Sequence, residues 1–252
     1  MELRYLETGF NPAAFNMGLD EAILNAVAEG RQPPTLRFYG WKPRAVSIGY
    51  FQGIEDEVDG AACARLGVDI VRRVTGGGAV YHADELTYSI VLPEAHDLAR
   101  GTILDSYKTI CAGVVEGLRI LGIAAEFAPL NDVVAEGKKL SGNAQTRKRS
   151  CLLQHGTVLL SVDVDEMFEL LKVPSEKMKG KLIEDVKARV SSVSAMLCRD
   201  FGYKEALPAF REGFAKALSA SLAAGEPSEA ELDDARRLAI EKFGERSWVS
   251  KR

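Results

Sequence analysis

Cysteine is scarce and scattered in this sequence. Its four cysteines, Cys63, Cys111, Cys151 and Cys198, form no C-x-x-C pair. A zinc site and a disulfide framework are therefore both weakly supported, and the cytoplasm is the default compartment. No stretch reaches the run of about 18 apolar residues that a membrane-spanning helix needs, so no membrane partner is expected. Met1-Glu2-Leu3-Arg4 lacks the basic segment and apolar core of a signal peptide. Positive charge is not in excess: 32 Lys and Arg against 36 Asp and Glu leave a net charge of −4. Nucleic acid is not an expected partner for such a chain. No internal repeat or low-complexity tract is visible. Neither common phosphate loop, G-x-x-x-x-G-K-[ST] or G-x-G-x-x-G, is present.

What is present begins with ordinary globular composition. The 252 residues are 46% hydrophobic and 27% charged, enough chain for one large domain or two small ones and for a sizeable core. The most distinctive stretch is Val71 to Ser89, V-R-R-V-T-G-G-G-A-V-Y-H-A-D-E-L-T-Y-S. Three consecutive residues without Cβ, Gly76, Gly77 and Gly78, permit positive φ and a close approach to the main-chain amides. Successive free N–H groups in such a turn form a concave anion site. Arg73 beside it adds a planar fork suited to phosphate or carboxylate. The stretch reads as strand, glycine turn, strand, with Ala79, Val80, Tyr81 and His82 opening the second strand.

Periodicity organises the rest. Residues 3–8 alternate as a strand, and Ala13 to Ala28 carries apolar residues at helical spacing. Asn16 and Asp20 lie four apart on that helix, either a polar pair aimed at a site or, as is commoner, facing solvent. Thr35–Tyr39 and Ala45–Phe51 read as paired strands, and Glu55–Leu66 as a short helix. Ile103–Leu121 is an amphipathic helix ended by Gly122. Residues 163–252 read as mainly helical. Asp165–Leu171, a lysine-rich stretch from Ser175 to Gly180, Pro208–Leu222 and a final helix from Ser228 to about Phe243 make up that part. Glu231 stands at capping-box distance from Ser228. The expected fold is α/β of the α+β type, a mixed and largely antiparallel sheet flanked by helices, with residues 1–252 as one domain.

A second constellation runs from Asn131-Asp132 through Gly137-Lys138-Lys139-Leu140-Ser141-Gly142-Asn143-Ala144-Gln145. Lys139 lies in a segment with one inward face, where an unpaired lysine is rare. Ser141-Gly142-Asn143-Ala144 is small and polar, as where a ligand lies on the backbone. A lysine there can reach an acyl carbonyl or an α-phosphate and stabilise charge that develops during acyl transfer.

Three motifs, R-R-x-T-G-G-G-A-V-Y-H, N-D-x-x-x-x-G-K-K-x-S-G-N-A-Q and H-G-T-V-L-L, occur in this order and together resemble the lipoate-protein ligase A family. That family belongs to the wider group of biotin ligases and octanoyl transferases. The likeness covers most of the chain, from Asn16 to about Trp248. It implies a biotin ligase-like catalytic core. It also implies a lipoate-protein ligase, which uses ATP and Mg²⁺ to convert lipoate to lipoyl-AMP and passes the lipoyl group to a lysine of a carrier protein. On that resemblance Lys139 is the catalytic residue. Arg73 and Gly78-Ala79-Val80-Tyr81 contact the nucleotide, while Gly76, Gly77 and His82 shape the acyl tunnel. Asn131 and Asp132 flank the adenylate, with Asp132 a candidate Mg²⁺ ligand. Ser141 and Gly142 line the binding backbone, and His155 is a contact or structural residue.

The chain departs from the family at two points. It stops just after the core, without the usual accessory domain, so a separate small accessory protein is a possible partner beside the lipoyl-carrier acceptor. The wording R-F-Y-G-W, G-Y-F-Q and S-G-N-A-Q-T-R also resembles the cysteine-dependent octanoyl transferases, which take the acyl group from octanoyl carrier protein without ATP. The insertion that carries their cysteine is missing between Leu130 and Asn131. Cys151, at a usually apolar position, is the one candidate near the site. A non-catalytic lipoate- or adenylate-binding partner is the remaining alternative.

Overall fold

The computed structural model describes residues 1–173 and 176–251. Pro174, Ser175 and Arg252 lie outside the described residues, and so do the side chains at 176–178. The expected lysine-rich stretch is therefore described only in part.

The chain opens with β1 (Glu2–Asn11) and α1 (Ala13–Ala28), then β2 (Thr35–Trp41) and β3 (Ala45–Ile48). The expected strand to Phe51 stops at Ile48, because Gly49 turns the chain under the glycine triplet and Tyr50 N donates to Thr75 O. The expected single helix at 55–66 is two, α2 (Ile54–Glu57) and α3 (Gly60–Leu66). The Asp59 side chain caps α3 by accepting from Ala62 N. Next come β4 (Asp69–Arg72), β5 (Val80–His82), β6 (Glu85–Pro93) and α4 (Ile103–Ile120). Thr102 and Asp105 close a capping box on α4. Four strands follow, β7 (Ala125–Ala128), β8 (Asp132–Ala135), β9 (Lys138–Lys148) and β10 (Cys151–Leu159). Two-residue hairpins join the last three. Glu136 and Gly137, and then Arg149 and Ser150, all have positive φ, the twist such tight turns require.

The C-terminal part holds α5 (Val164–Leu170), α6 (Glu176–Arg189), α7 (Val193–Leu197) and α8 (Tyr203–Ala217). β11 (Ser221–Gly225), α9 (Glu229–Leu238), one π turn over Ala239–Phe243 and α10 (Arg246–Val249) complete it. Two expectations change here. The helix near Pro208 begins five residues earlier, at Tyr203, and the segment after it is a strand. β11 forms because its backbone adds in parallel to the free edge of β1. The capping box of Ser228 and Glu231 is present, and Glu231 also holds Arg4 of β1 in a buried ion pair at 2.6 Å.

Eight strands form one sheet in the order β11-β1-β2-β6-β10-β9-β8-β7, parallel at the β11-β1-β2 end and antiparallel from β2 onward. Helices α4 and α8 cover one face, where Phe210 and Phe214 of α8 are fully buried. Gly113, Gly117 and Gly213 let these helices touch through their backbones: a Cβ at Gly213 would stand 2.4 Å from Gly117 N. Helices α1 and α9 cover the opposite face. A second sheet, β4-β3-β5, packs its own small core with α3 and α5. The result is a mixed α/β fold with a large, mostly antiparallel sheet flanked by helices. The site lies where the small sheet meets the β8–β10 end of the large one.

Candidate active site

The glycine turn is held from inside. Arg73, only 5% exposed, sends Nη1 to Ser47 O and Ser47 Oγ, both at 2.9 Å. Its Nη2 donates to Gly76 O at 2.9 Å and Gly78 O at 2.8 Å. With the carbonyls drawn onto the guanidinium, the amides of Gly77 and Gly78 are left without an acceptor among the described residues. Gly77 takes φ 94° to make the turn. Gly49 lies so close beneath it that a Cβ there would sit 2.0 Å from Gly77 O. Burial pushes the Arg73 pKa down to about 10, so the group remains a cation at neutral pH. The neighbouring Arg72 is fully buried and serves the C-terminus. It donates to the carbonyls of Gly49, Tyr50, Gln52, Trp248 and Val249, and its own carbonyl accepts from Trp248 Nε1.

Lys139 reaches the cleft because of a β-bulge. Residues 139 and 142 are three apart and would face opposite ways on a regular strand. The pairing of β9 with β8 slips at Leu140, between Val133↔Ser141 and Val134↔Lys139. The extra residue flips the parity, and Lys139 now crosses the bare face of Gly142. A Cβ at Gly142 would come within 2.8 Å of both Cε and Nζ. The ammonium stands 2.7 Å from Asp132 Oδ1 in an ion pair. With one of its three N–H donors turned to that carboxylate, Nζ keeps two for a ligand. Asn131 and Asn143 lock this hairpin to itself: Asn143 Nδ2 donates to Asn131 O at 2.8 Å, and Asn131 Nδ2 donates to Asn143 O.

Beneath the cleft lies a buried polar floor. Asp20 accepts from Arg37 Nη1 at 2.7 Å, Tyr39 OH at 2.9 Å and Ser89 Oγ at 2.8 Å. Burial acts to raise the Asp20 pKa, but the Arg37 guanidinium, with His155 and Ser89, holds the carboxyl below its ordinary value. His155 Nδ1 is 3.5 Å from Asp20, and its Nε2 is 2.7 Å from Thr75 Oγ1. Burial lowers the His155 pKa against the opposing pull of Asp20. A parallel chain runs alongside: Ser47 Oγ to His82 Nε2 at 2.7 Å, and His82 Nδ1 to Glu85 Oε1 at 2.8 Å. Asn16 and Asp20 are thus buried structural partners, neither turned to solvent nor on the cleft wall.

Together these parts enclose a cleft of about 300 Å³, at the small end of ligand sites. Its apolar wall includes Met17, Trp41, Val80, Leu159 and Met167, and its polar groups include Arg73, Lys139, Asn131 and His155. Of the residues expected from the sequence, Arg73, Gly77, Gly78, Ala79, Val80, Tyr81, His82, Asn131, Lys139, Gly142 and His155 line it. Gly76, Asp132 and Ser141 do not: the first shapes the turn, the second pairs with Lys139, and the third is a fully buried residue of β9. No group of three or more His, Cys, Asp or Glu able to hold a metal occurs among the described residues, and the Asp132 carboxylate is engaged by Lys139. Sequence reasoning missed Ser47, Thr75 and Glu85. Only the H-x-x-E spacing of His82 and Glu85 gave any local sign of them.

None of the four cysteines lines the cleft. Cys151 sits four residues before His155, about 13 Å along the strand, in the core beneath α1. Burial raises the pKa of Cys151, lifts Cys63 to about 11 and lifts Cys111 to about 12. Cys198 is exposed at the end of α7.

The lipoyl protein ligase A/B catalytic domain family matches residues 12–215. The octanoyltransferase LipM of Anoxybacillus flavithermus is 39% identical over 272 aligned positions, covering 99% of this chain and 98% of that protein. The octanoyltransferase LipM of Bacillus subtilis is 36% identical, with 99% and 98% covered. Both alignments are longer than the 252 residues here, so these relatives carry residues this chain lacks. Among solved structures, the bi-partite lipoate protein ligase of Thermoplasma acidophilum, described with its E2 lipoyl domain, superposes with a TM-score of 0.88. It is 33% identical, with 99% of this chain and 96% of that one covered. The chain belongs to the lipoyl protein ligase A/B family and is an enzyme of the lipoate ligase and transferase group. The full-length octanoyltransferase relatives overturn the expectation of an ATP-dependent lipoate ligase. ATP and Mg²⁺, expected as parts of that reaction, have no support from them.

Proposed function

We propose that this member of the lipoyl protein ligase A/B family is an octanoyl transferase, moving an octanoyl group from a carrier-protein thioester to the ε-amine of a lysine on a lipoyl-carrier protein. The bond changes are C–S for C–N, with the carrier thiol leaving. The carrying observation is that Lys139 Nζ, with open donors, and the unpaired amides of Gly77 and Gly78 border one narrow, largely apolar cleft. An eight-carbon chain fits its apolar wall. The ammonium and the amides then stabilise the carbonyl oxygen as it gains charge, the effect that usually contributes most to acyl transfer. Full-length similarity to octanoyltransferases supports the donor. The lipoyl domain described with the Thermoplasma ligase supports the acceptor class.

Cytoplasmic operation fits four free cysteines, and no helix among the described residues is long and apolar enough to cross a membrane. In this reading the purified chain acts without an accessory protein. Incubation of the chain alone with octanoyl carrier protein and apo acceptor, in the absence of nucleotide, adds one octanoyl group to the acceptor by intact mass. Acylation seen only with free fatty acid and MgATP would overturn the proposal.

A further inference from the structure

We infer that the exposed patch of Tyr50, Phe51, Lys148 and Lys251, beside the glycine turn, docks the donor carrier protein at the phosphate root of its thioester arm. The inference rests on the transferase reading above and deepens it by assigning the donor a surface.

The patch joins two features that are unusual together. Phe51 is 84% exposed, more than any other large apolar residue described, and its ring packs edge-on against Tyr50 at 4.9 Å. A single exposed apolar side chain is ordinary, but this one stands in a cluster of cations. Lys148 Nζ lies 5.2 Å and Lys251 Nζ 5.3 Å from the centre of the Tyr50 ring, within cation–π range. Lys251 Nζ also donates to Tyr50 OH at 3.3 Å. No carboxylate pairs with Lys148 or Lys251 among the described residues. The hydrogen bond from Lys251, with its charge and those of Lys148 and Lys242, holds the Tyr50 hydroxyl below its ordinary pKa. The chain as a whole carries a net charge of −4, so this local excess of positive charge is not a general property of the surface.

Its place ties it to the cleft. Tyr50 N donates to Thr75 O at 2.9 Å, one residue before the glycine triplet. Gly49, next to Tyr50, lies directly under the turn, where a Cβ would stand 2.0 Å from Gly77 O. Gly77 and Gly78 are exposed and also line the cleft, so the patch borders its rim.

The chemistry of the substrates selects the occupant. The phosphopantetheine arm that bears a carrier's thioester is joined to the carrier through a phosphate. Unpaired ammonium groups near the rim suit that anion and an acidic carrier surface around it. The acceptor instead presents a lysine ammonium, which the same cations repel. Phe51 supplies the apolar contact that such a charged rim surrounds in protein interfaces.

The test is steady-state transfer by the full chain from octanoyl carrier protein to apo acceptor, with each varied in turn. Reversing both charges, Lys148→Glu with Lys251→Glu, is expected to lower kcat/KM for the carrier by about tenfold or more, with a larger loss at low than at high ionic strength. Phe51→Ala lowers it by about fivefold. Both losses lie in the carrier's KM, the mark of a binding surface. A carrier kcat/KM retained by the charge-reversed chain, a loss confined to kcat, or a loss that falls on the acceptor's KM instead overturns the docking assignment and leaves the transferase reading intact. A wild-type chain that transfers nothing from the thioester overturns both.

Discussion

Gly142→Ala isolates the position of one charge without removing it. The added methyl would stand 2.8 Å from both Cε and Nζ of Lys139, against about 3.4 Å for ordinary contact. The next nearest atom, Asp132 Oδ1, is 3.8 Å away, so only the flexible lysine end must yield. Its displacement is therefore at least about 0.6 Å, with the charge, the hairpin and the core unchanged. Misplacing a reacting group by about 1 Å can cost about 100-fold in rate, so this shift predicts a loss of roughly 10-fold or more in kcat/KM. That corresponds to about 1.4 kcal/mol of transition-state stabilisation. Stability moves little, because alanine suits a strand at least as well as glycine. Octanoyl transfer followed by acceptor mass, beside a thermal melt, reads both quantities. An unchanged rate with an unchanged melting temperature would show that the Lys139 ammonium does not touch the reacting carbonyl.

Other expectations follow from the same geometry. Lys139→Met removes the charge outright and lowers kcat by about 10²- to 10³-fold, with the melting temperature little affected; steady-state transfer kinetics check this. Arg72→Met strands five carbonyl acceptors and destabilises the chain by about 3 kcal/mol or more, measured by denaturant unfolding. His155 has a folded pKa below its ordinary value. The unfolded chain therefore takes up a proton that the folded chain refuses, and stability falls as pH drops below about 6.5. His155→Gln flattens that fall in a series of unfolding curves. Phe214→Ala, between α4 and the sheet, costs about 3–5 kcal/mol.

The two charged features of the cleft were legible because each departs from what local structure needs. A glycine triplet beside arginine and a lysine in an inward-facing segment are both costly, and the structure puts both on one cleft. The mixed, largely antiparallel sheet was legible from alternating patterns. What stayed hidden depends on contacts distant in sequence. β11 reads as loop or helix until β1 offers it an edge. Asn16 and Asp20 look like a solvent-facing pair until Arg37, Tyr39 and Ser89 arrive from two strands. Arg73 was expected to reach a ligand, yet its four bonds go to Ser47 and the turn. The bulge at Leu140, which turns Lys139 inward, leaves no mark in composition because it is a matter of pairing register. Ser47 meets His82 only through the pairing of β3 with β5.

The central claim is that an ammonium and a bare stretch of main chain meet at one acyl carbonyl. A crystal structure with a non-transferable octanoyl thioether ketone bound to the wild-type chain tests it most directly. The ketone oxygen is expected within hydrogen-bond distance of both Lys139 Nζ and an amide of Gly77 or Gly78, with the alkyl chain along Trp41 and Met17. A ketone oxygen that misses either group, or an alkyl chain lying outside this cleft, would contradict it.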